Sequence, residues 1–253
     1  MPGIMENFVP VASTYAASID GVWELIFWIV GFWFILSEGV FFYLIWKFRA
    51  KNGEKAQYIT GELESEKKWI TYPHLLVLIC DIFIVYGAVK VWYEVKQNLP
   101  EAQSMVRVVG QQWAWTFVHA GLDGQLDTED DITTVNELRL AKDTLYHYKL
   151  ESRDVLHNFS VPVFRLKQDS IPGREITGWF EPTQTGDFMV QCAEICGIGH
   201  GLMGARVIIE EPEAHTAWMT SMTSGGLAQA EPAPLPSTAS TEIAANTLAT
   251  SEE

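Results

Sequence analysis

Residues 192–203, CAEICGIGHGLM, place Cys192, Cys196, His200 and Met203 within one short stretch. Thiolate, imidazole and thioether are soft donors, and together they favour copper over magnesium, calcium or manganese. The chain has three cysteines, two of them here. A disulfide between Cys192 and Cys196 is geometrically awkward across so short a gap and leaves His200 and Met203 unexplained. Inert core thiols leave them unexplained as well. Zinc is the nearest competitor, because two cysteines with two histidines is a common zinc set. Zinc sites usually draw on paired CxxC knuckles, however, and do not call for a methionine. Two thiolates this close can also each bridge a pair of metal ions. Metal binding is the expectation.

The elements that must position these ligands are β-strands. From residue 105 the texture turns to Val- and aromatic-rich alternation: 106–119 and 144–150 are strand-like, with an acidic, Gly-containing loop at 121–131 between them. Further short strands are expected at 155–161, 175–181, 186–191 and 204–210. Many short strands with turn signals and no helical period read as a sandwich or barrel. Residues 211–222 read as a short helix anchored by Trp218. From 223 onward the chain is Ala, Ser, Thr, Pro and Glu without an aromatic, and is expected to be a disordered tail.

Upstream lies a membrane hairpin. Residues 22–46 are apolar and aromatic, with tryptophans towards both ends, and 70–93 form a second apolar stretch containing His74, Asp81 and Lys90. His74 and Asp81 share a helical face, as they would against a partner subunit. The connection 47–69 carries Lys47, Arg49, Lys51, Lys55, Lys67 and Lys68, whereas 1–21 has no basic residue. That asymmetry puts the connection inside, and residues 1–21 and the strand-rich part outside. An ordinary signal peptide is not expected, since the basic n-region is missing. Net charge is −15, and residues 101–210 hold sixteen acidic against nine basic residues. Such a surface repels nucleic acid and suits a basic partner.

The motif CxExCGxxHxxM resembles the binuclear copper loop of cytochrome c oxidase subunit II. VLHNFSVP at 155–162 and LKQDSIPGR at 166–174 are similar to two further signatures of that family. The resemblance implies a two-helix transmembrane hairpin followed by an all-β cupredoxin-like Greek-key barrel. Its parts would be an outside segment 1–21, a hairpin 22–97, a copper domain 98–222 and a tail 223–253. It implies two copper ions, bridged by Cys192 and Cys196 and terminated by His157 and His200. Met203 and the Glu194 carbonyl would be weak ligands, with the Glu194 carboxylate reaching a magnesium ion shared with subunit I. In GQQWAW at 110–115, Trp113 matches the family's electron-accepting tryptophan, although Ala114 stands where the family usually has Tyr. Glu66 matches an acidic proton-channel residue, with Glu62 and Glu64 as neighbours able to act instead.

The implied function is electron transfer from a basic cytochrome c through copper to heme in subunit I, where oxygen is reduced to water and protons are pumped. Other oxidase subunits and membrane lipid are the implied partners. The location is a bacterial plasma membrane or a mitochondrial inner membrane. Three competitors differ on specific features. Nitrous oxide reductase, with a similar copper loop, is larger and soluble; quinol oxidase subunit II lacks the Cys and His ligands; a copper carrier needs exposed, exchangeable ligands. His119, His147 and His215 read as ordinary histidines. No CxxCH occurs, so a fused cytochrome c domain is not expected. The domain 98–222 is expected to fold without the helices.

Overall fold

Long apolar runs continue as helix into water at both ends, because a helix satisfies its own backbone bonds on either side of a bilayer boundary. The computed structural model describes residues 3–50, 53, 55 and 58–224. In it α1 spans Ala16–Lys47 and α2 spans Glu64–Trp92, the latter extended by a π-helical turn at Tyr93–Gln97. Both are longer than the expected 22–46 and 70–93, since hydropathy detects only the lipid-facing part of each helix. Glu66 supports the start of α2: its carboxylate accepts hydrogen bonds from the Gly61 and Leu63 backbone N–H groups at 2.9 and 3.4 Å. The two helices are long and apolar enough to cross a membrane, and their most apolar windows are not buried at all. A helix serving a soluble core would hide that surface. The helices touch each other, with the Trp33 indole N–H directed at Cys80 Sγ at 3.5 Å.

Among the described residues, ten strands follow the hairpin in two five-stranded sheets. One is ordered β3-β2-β1-β5-β8, the other β4-β10-β9-β6-β7. The ranges are β1 Ser104–Gln111, β2 Ala114–His119, β3 Ile132–Val135, β4 Glu137–Ala141, β5 Tyr146–Ser152, β6 His157–Val161, β7 Leu166–Ser170, β8 Ile176–Phe180, β9 Gly186–Cys192 and β10 Gly204–Glu210. The stretch 106–119 is thus a hairpin of two strands. β3, β4 and β7 were not anticipated, being short and mixed in composition. Between the sheets lie Trp115, Phe117, Tyr148, Phe159, Phe164 and Phe180, all fully buried. Helix α3, Pro212–Ser224, closes one side, Trp218 lying edge-on to His119 at 5.2 Å between centroids. Most of the expected tail, from residue 225, lies outside the described residues.

The copper domain is expected to start at residue 98, and the segment before α1 adds to its core. Ala12 and Tyr15 are buried there, and Tyr15 meets the Trp179 ring edge-on at 5.0 Å. Backbone bonds run from Ala12 N to Val163 O, Thr14 N to Glu181 O and Thr183 N to Ala12 O. At the top of α1, Asp20 is held by Arg165 through two hydrogen bonds of 2.7 and 2.8 Å. A fragment starting at 98 would lose a core tyrosine and leave Arg165 without its carboxylate.

Candidate metal centre

Three chain segments converge at one end of the sandwich. His157 opens β6, and β6 pairs with β9 through Phe159 opposite Cys192. This register brings His157 beside Cys192. The loop 193–203 leaves β9 and returns into β10. Its neck is closed by Cys192 N to Met203 O at 3.1 Å, and it is tied to β6 by Ala193 N to Asn158 O at 3.1 Å. The third segment is the turn between β1 and β2, which carries Gln112 and Trp113.

Six donors gather in this space. The thiol sulfurs of Cys192 and Cys196 lie 3.7 Å apart, far beyond a disulfide bond. Cys192 Sγ is 4.0 Å from His157 Nδ1 and 3.3 Å from the Glu194 carbonyl oxygen. Cys196 Sγ is 3.6 Å from His200 Nδ1 and 3.6 Å from Met203 Sδ. Each sulfur therefore sits centrally, with one imidazole and one weaker donor beside it. Among the described residues, His157, Cys192 and Cys196 bring their donor atoms within 4.8 Å of one another, close enough to hold a metal ion, and all three are buried. Burial, followed by the neighbouring Cys192, pushes the Cys196 thiol up to about 11. A metal ion must therefore displace protons here.

Asp154 orients the His157 ring, a role the sequence alone does not announce. His157 Nε2 lies 2.8 Å from Asp154 Oδ1. An ionised carboxylate can only accept, so Nε2 carries the hydrogen and Nδ1 is left free to face Cys192. Partial burial raises the Asp154 carboxyl, but hydrogen bonds from His157 and the Gln112 and Val155 N–H groups outweigh it and hold the group below its ordinary value. An acid three residues before a ligand histidine is a signal only once that histidine is known to be a ligand. Asp154→Ala is expected to lower metal affinity by about 10–100-fold, the usual cost of an outer-shell partner. Competitive chelator titration of the purified protein measures this.

The β1–β2 turn lies directly on the 193–203 loop. Gln112 Nε2 donates to the Cys196 carbonyl at 2.7 Å, and Gln112 N donates to Asp154 Oδ2 at 2.7 Å. A Cβ on Gly199 would collide with the Trp113 indole, so only glycine lets that ring lie against the loop. Gly197 has φ +121°, in the region that favours glycine, and a Cβ there would meet the Gln112 side-chain amide. Trp113 is 40% exposed, one face on the loop and one in solvent. Around it Ile195, Ile198 and Leu202 project into solvent as an apolar rim.

The other histidines stay away from these donors. His119 bonds to Thr134 Oγ1 at 3.2 Å under Trp218, and His147 Nε2 bonds to the Pro100 carbonyl at 2.7 Å. Burial, then the nearby His215, lowers His119 to about 3. Glu66 lies at the far end of α2 and is not part of the cluster.

The profile of the family described as cytochrome c oxidase subunit II, periplasmic domain, matches residues 104–211. The alternative cytochrome c oxidase subunit 2 of Bradyrhizobium diazoefficiens is 32% identical, over 84% of this chain and 82% of that protein. Cytochrome c oxidase subunit 2 of Cereibacter sphaeroides is 27% identical, over 87% and 80% of the two chains. The crystal structure of the periplasmic domain of cytochrome oxidase subunit II from Bradyrhizobium japonicum aligns at a TM-score of 0.44 and 24% identity, covering 51% of this chain and 99% of that one. With close to a third of the aligned residues shared over more than four fifths of both this chain and the first relative, and the barrel matching the family's own profile, the chain belongs to the cytochrome c oxidase subunit II family of heme-copper oxidoreductase subunits.

Proposed function

We propose that this chain accepts electrons one at a time from a basic cytochrome c at a binuclear copper centre and relays them to heme in subunit I. The observation that carries the reading is the pair of free thiols 3.7 Å apart, each flanked by its own imidazole and its own weak donor. That donor set fits two copper ions with shared thiolates: His157 and the Glu194 carbonyl on one side, His200 and Met203 on the other. When bound, the copper pair supplies a centre that takes up one electron over both ions. The chain's own residues hold the donors in a buried frame, fix the His157 tautomer through Asp154 and leave no side open for substrate. Metal analysis of the purified full-length protein tests this: two coppers per chain are expected, and one copper, or zinc in preference, overturns it.

Trp113 is the proposed point where the electron enters, because its ring rests on the ligand loop and also reaches solvent. The acidic surplus of the outer domain would steer the basic donor, an effect that salt screens beyond about 8 Å at physiological strength. Stopped-flow reduction is therefore expected to slow as salt rises. Trp113→Ala is expected to slow it at every salt concentration while leaving the copper spectrum and the salt slope intact. An unchanged rate removes Trp113 from the route.

The basic connection between α1 and α2 lies inside, the barrel outside, in a bacterial plasma membrane; both relatives named above are bacterial. The exposed Glu194 carboxylate is the candidate ligand for a magnesium ion shared with subunit I. Glu66 is the candidate entrance of a proton channel for the pumping complex, its carboxylate already placed at the start of α2 by the Gly61 and Leu63 N–H groups.

A further inference from the structure

We propose that the junction between the membrane helices and the barrel binds one anionic phospholipid, with an acyl chain in an apolar slot and the phosphate against Lys96 and Lys167. A cavity of about 300 Å³ lies where α1, α2 and β7 meet. Ile19 and Val22 of α1 and Ala88 and Val91 of α2 supply apolar wall. Trp23 and Trp92 line it as well and are each more than half exposed. Exposed tryptophans at the ends of membrane helices sit at headgroup level, which places the cavity at the lipid–water boundary.

The polar side of the cavity is cationic and unspent. Lys96 and Lys167 both line it, and neither has a carboxylate partner among the described residues. Lys96 Nζ donates only to Gln168 Oε1, at 2.7 Å. Elsewhere on the barrel Arg107, Arg139, Lys142, Lys149 and Arg206 each sit on a carboxylate. Arg165 also borders the cavity, but its five N–H groups are already used by Asp20 and the carbonyls of Val9, Pro10 and Pro162. The nearby Glu94 accepts from Ser18 Oγ. Two ammonium groups without a carboxylate partner among the described residues, above an apolar slot on an otherwise acidic domain, match a lipid that is negative at one end and greasy at the other. The inference needs only that the hairpin lies in a bilayer, and it is independent of the metal centre.

Native mass spectrometry of the full-length protein, equilibrated in detergent with equal amounts of phosphatidylglycerol and phosphatidylcholine, tests the site. One phosphatidylglycerol is expected to be retained in preference. Each lysine contributes roughly a fivefold preference, so Lys96→Gln with Lys167→Gln is expected to erase the discrimination. Ala88→Phe, at an exposed position facing the slot, is expected to reduce retention with the lysines untouched. Equal retention of both lipids by the native protein, or a double variant that discriminates as the native does, overturns the proposal. The assembled oxidase is the second sample: loss of the bound phosphatidylglycerol there means that a neighbouring subunit fills the slot, which also overturns it.

Discussion

Cys196→Ser is expected to abolish the shared-electron spectrum of the proposed copper pair and to lower metal affinity by more than the ~10–100-fold of an outer-shell change. Cys196 is the sulfur flanked by both His200 and Met203, and it lies 3.7 Å from its partner thiol. A hydroxyl is a hard, weakly acidic donor and does not replace a bridging thiolate. Oxidase turnover in the assembled complex should fall with the spectrum, because electrons would have no relay. The fold should persist, since Cys196 contributes to a loop rather than to a sheet. Absorption spectroscopy and metal analysis, with circular dichroism as the control for folding, separate these outcomes. A variant with a native spectrum would show that Cys196 is no bridge.

Arg165→Met is expected to destabilise the outer domain by about 3–5 kcal/mol, the cost of leaving a buried charge without its partner. Arg165 and Asp20 are each 9% exposed at the side chain, and every guanidinium N–H has an acceptor. Arg165→Lys should lose most of the same stability, because an ammonium cannot reproduce the planar fork. The double variant Arg165→Met, Asp20→Leu should recover a large part, since no charge is then stranded. Thermal unfolding of the solubilised full-length protein measures all three. If the single and double variants unfold alike, the ion pair is not what ties α1 to the barrel. Because the clamp joins the first membrane helix to β7 and its preceding turn, its loss should also loosen the domain from the membrane hairpin.

The clustering of sulfur and imidazole donors at 192–203 was legible in the sequence because a loop between paired strands keeps its side chains close whatever surrounds it. The two membrane helices were legible for a similar reason: lipid demands a long uninterrupted apolar run, and little else in the chain looks like one. Strands β5, β6, β8, β9 and β10 followed from alternation and turn signals, whereas β3, β4 and β7 take their conformation from neighbours in the sheet more than from their own residues. Only the tertiary structure decided the rest. The β6–β9 register brings His157 to Cys192 across 35 positions of chain, and the β1–β2 turn lays Gln112 and Trp113 on the ligand loop. Asp154 gains its meaning from the His157 ring it orients, and Tyr15 and Asp20 join a core lying more than a hundred residues further along the chain. Periodicity and composition report what one segment needs. They carry no information about which distant segment will meet that need, because that choice is made by sheet register and by the burial of surfaces against each other.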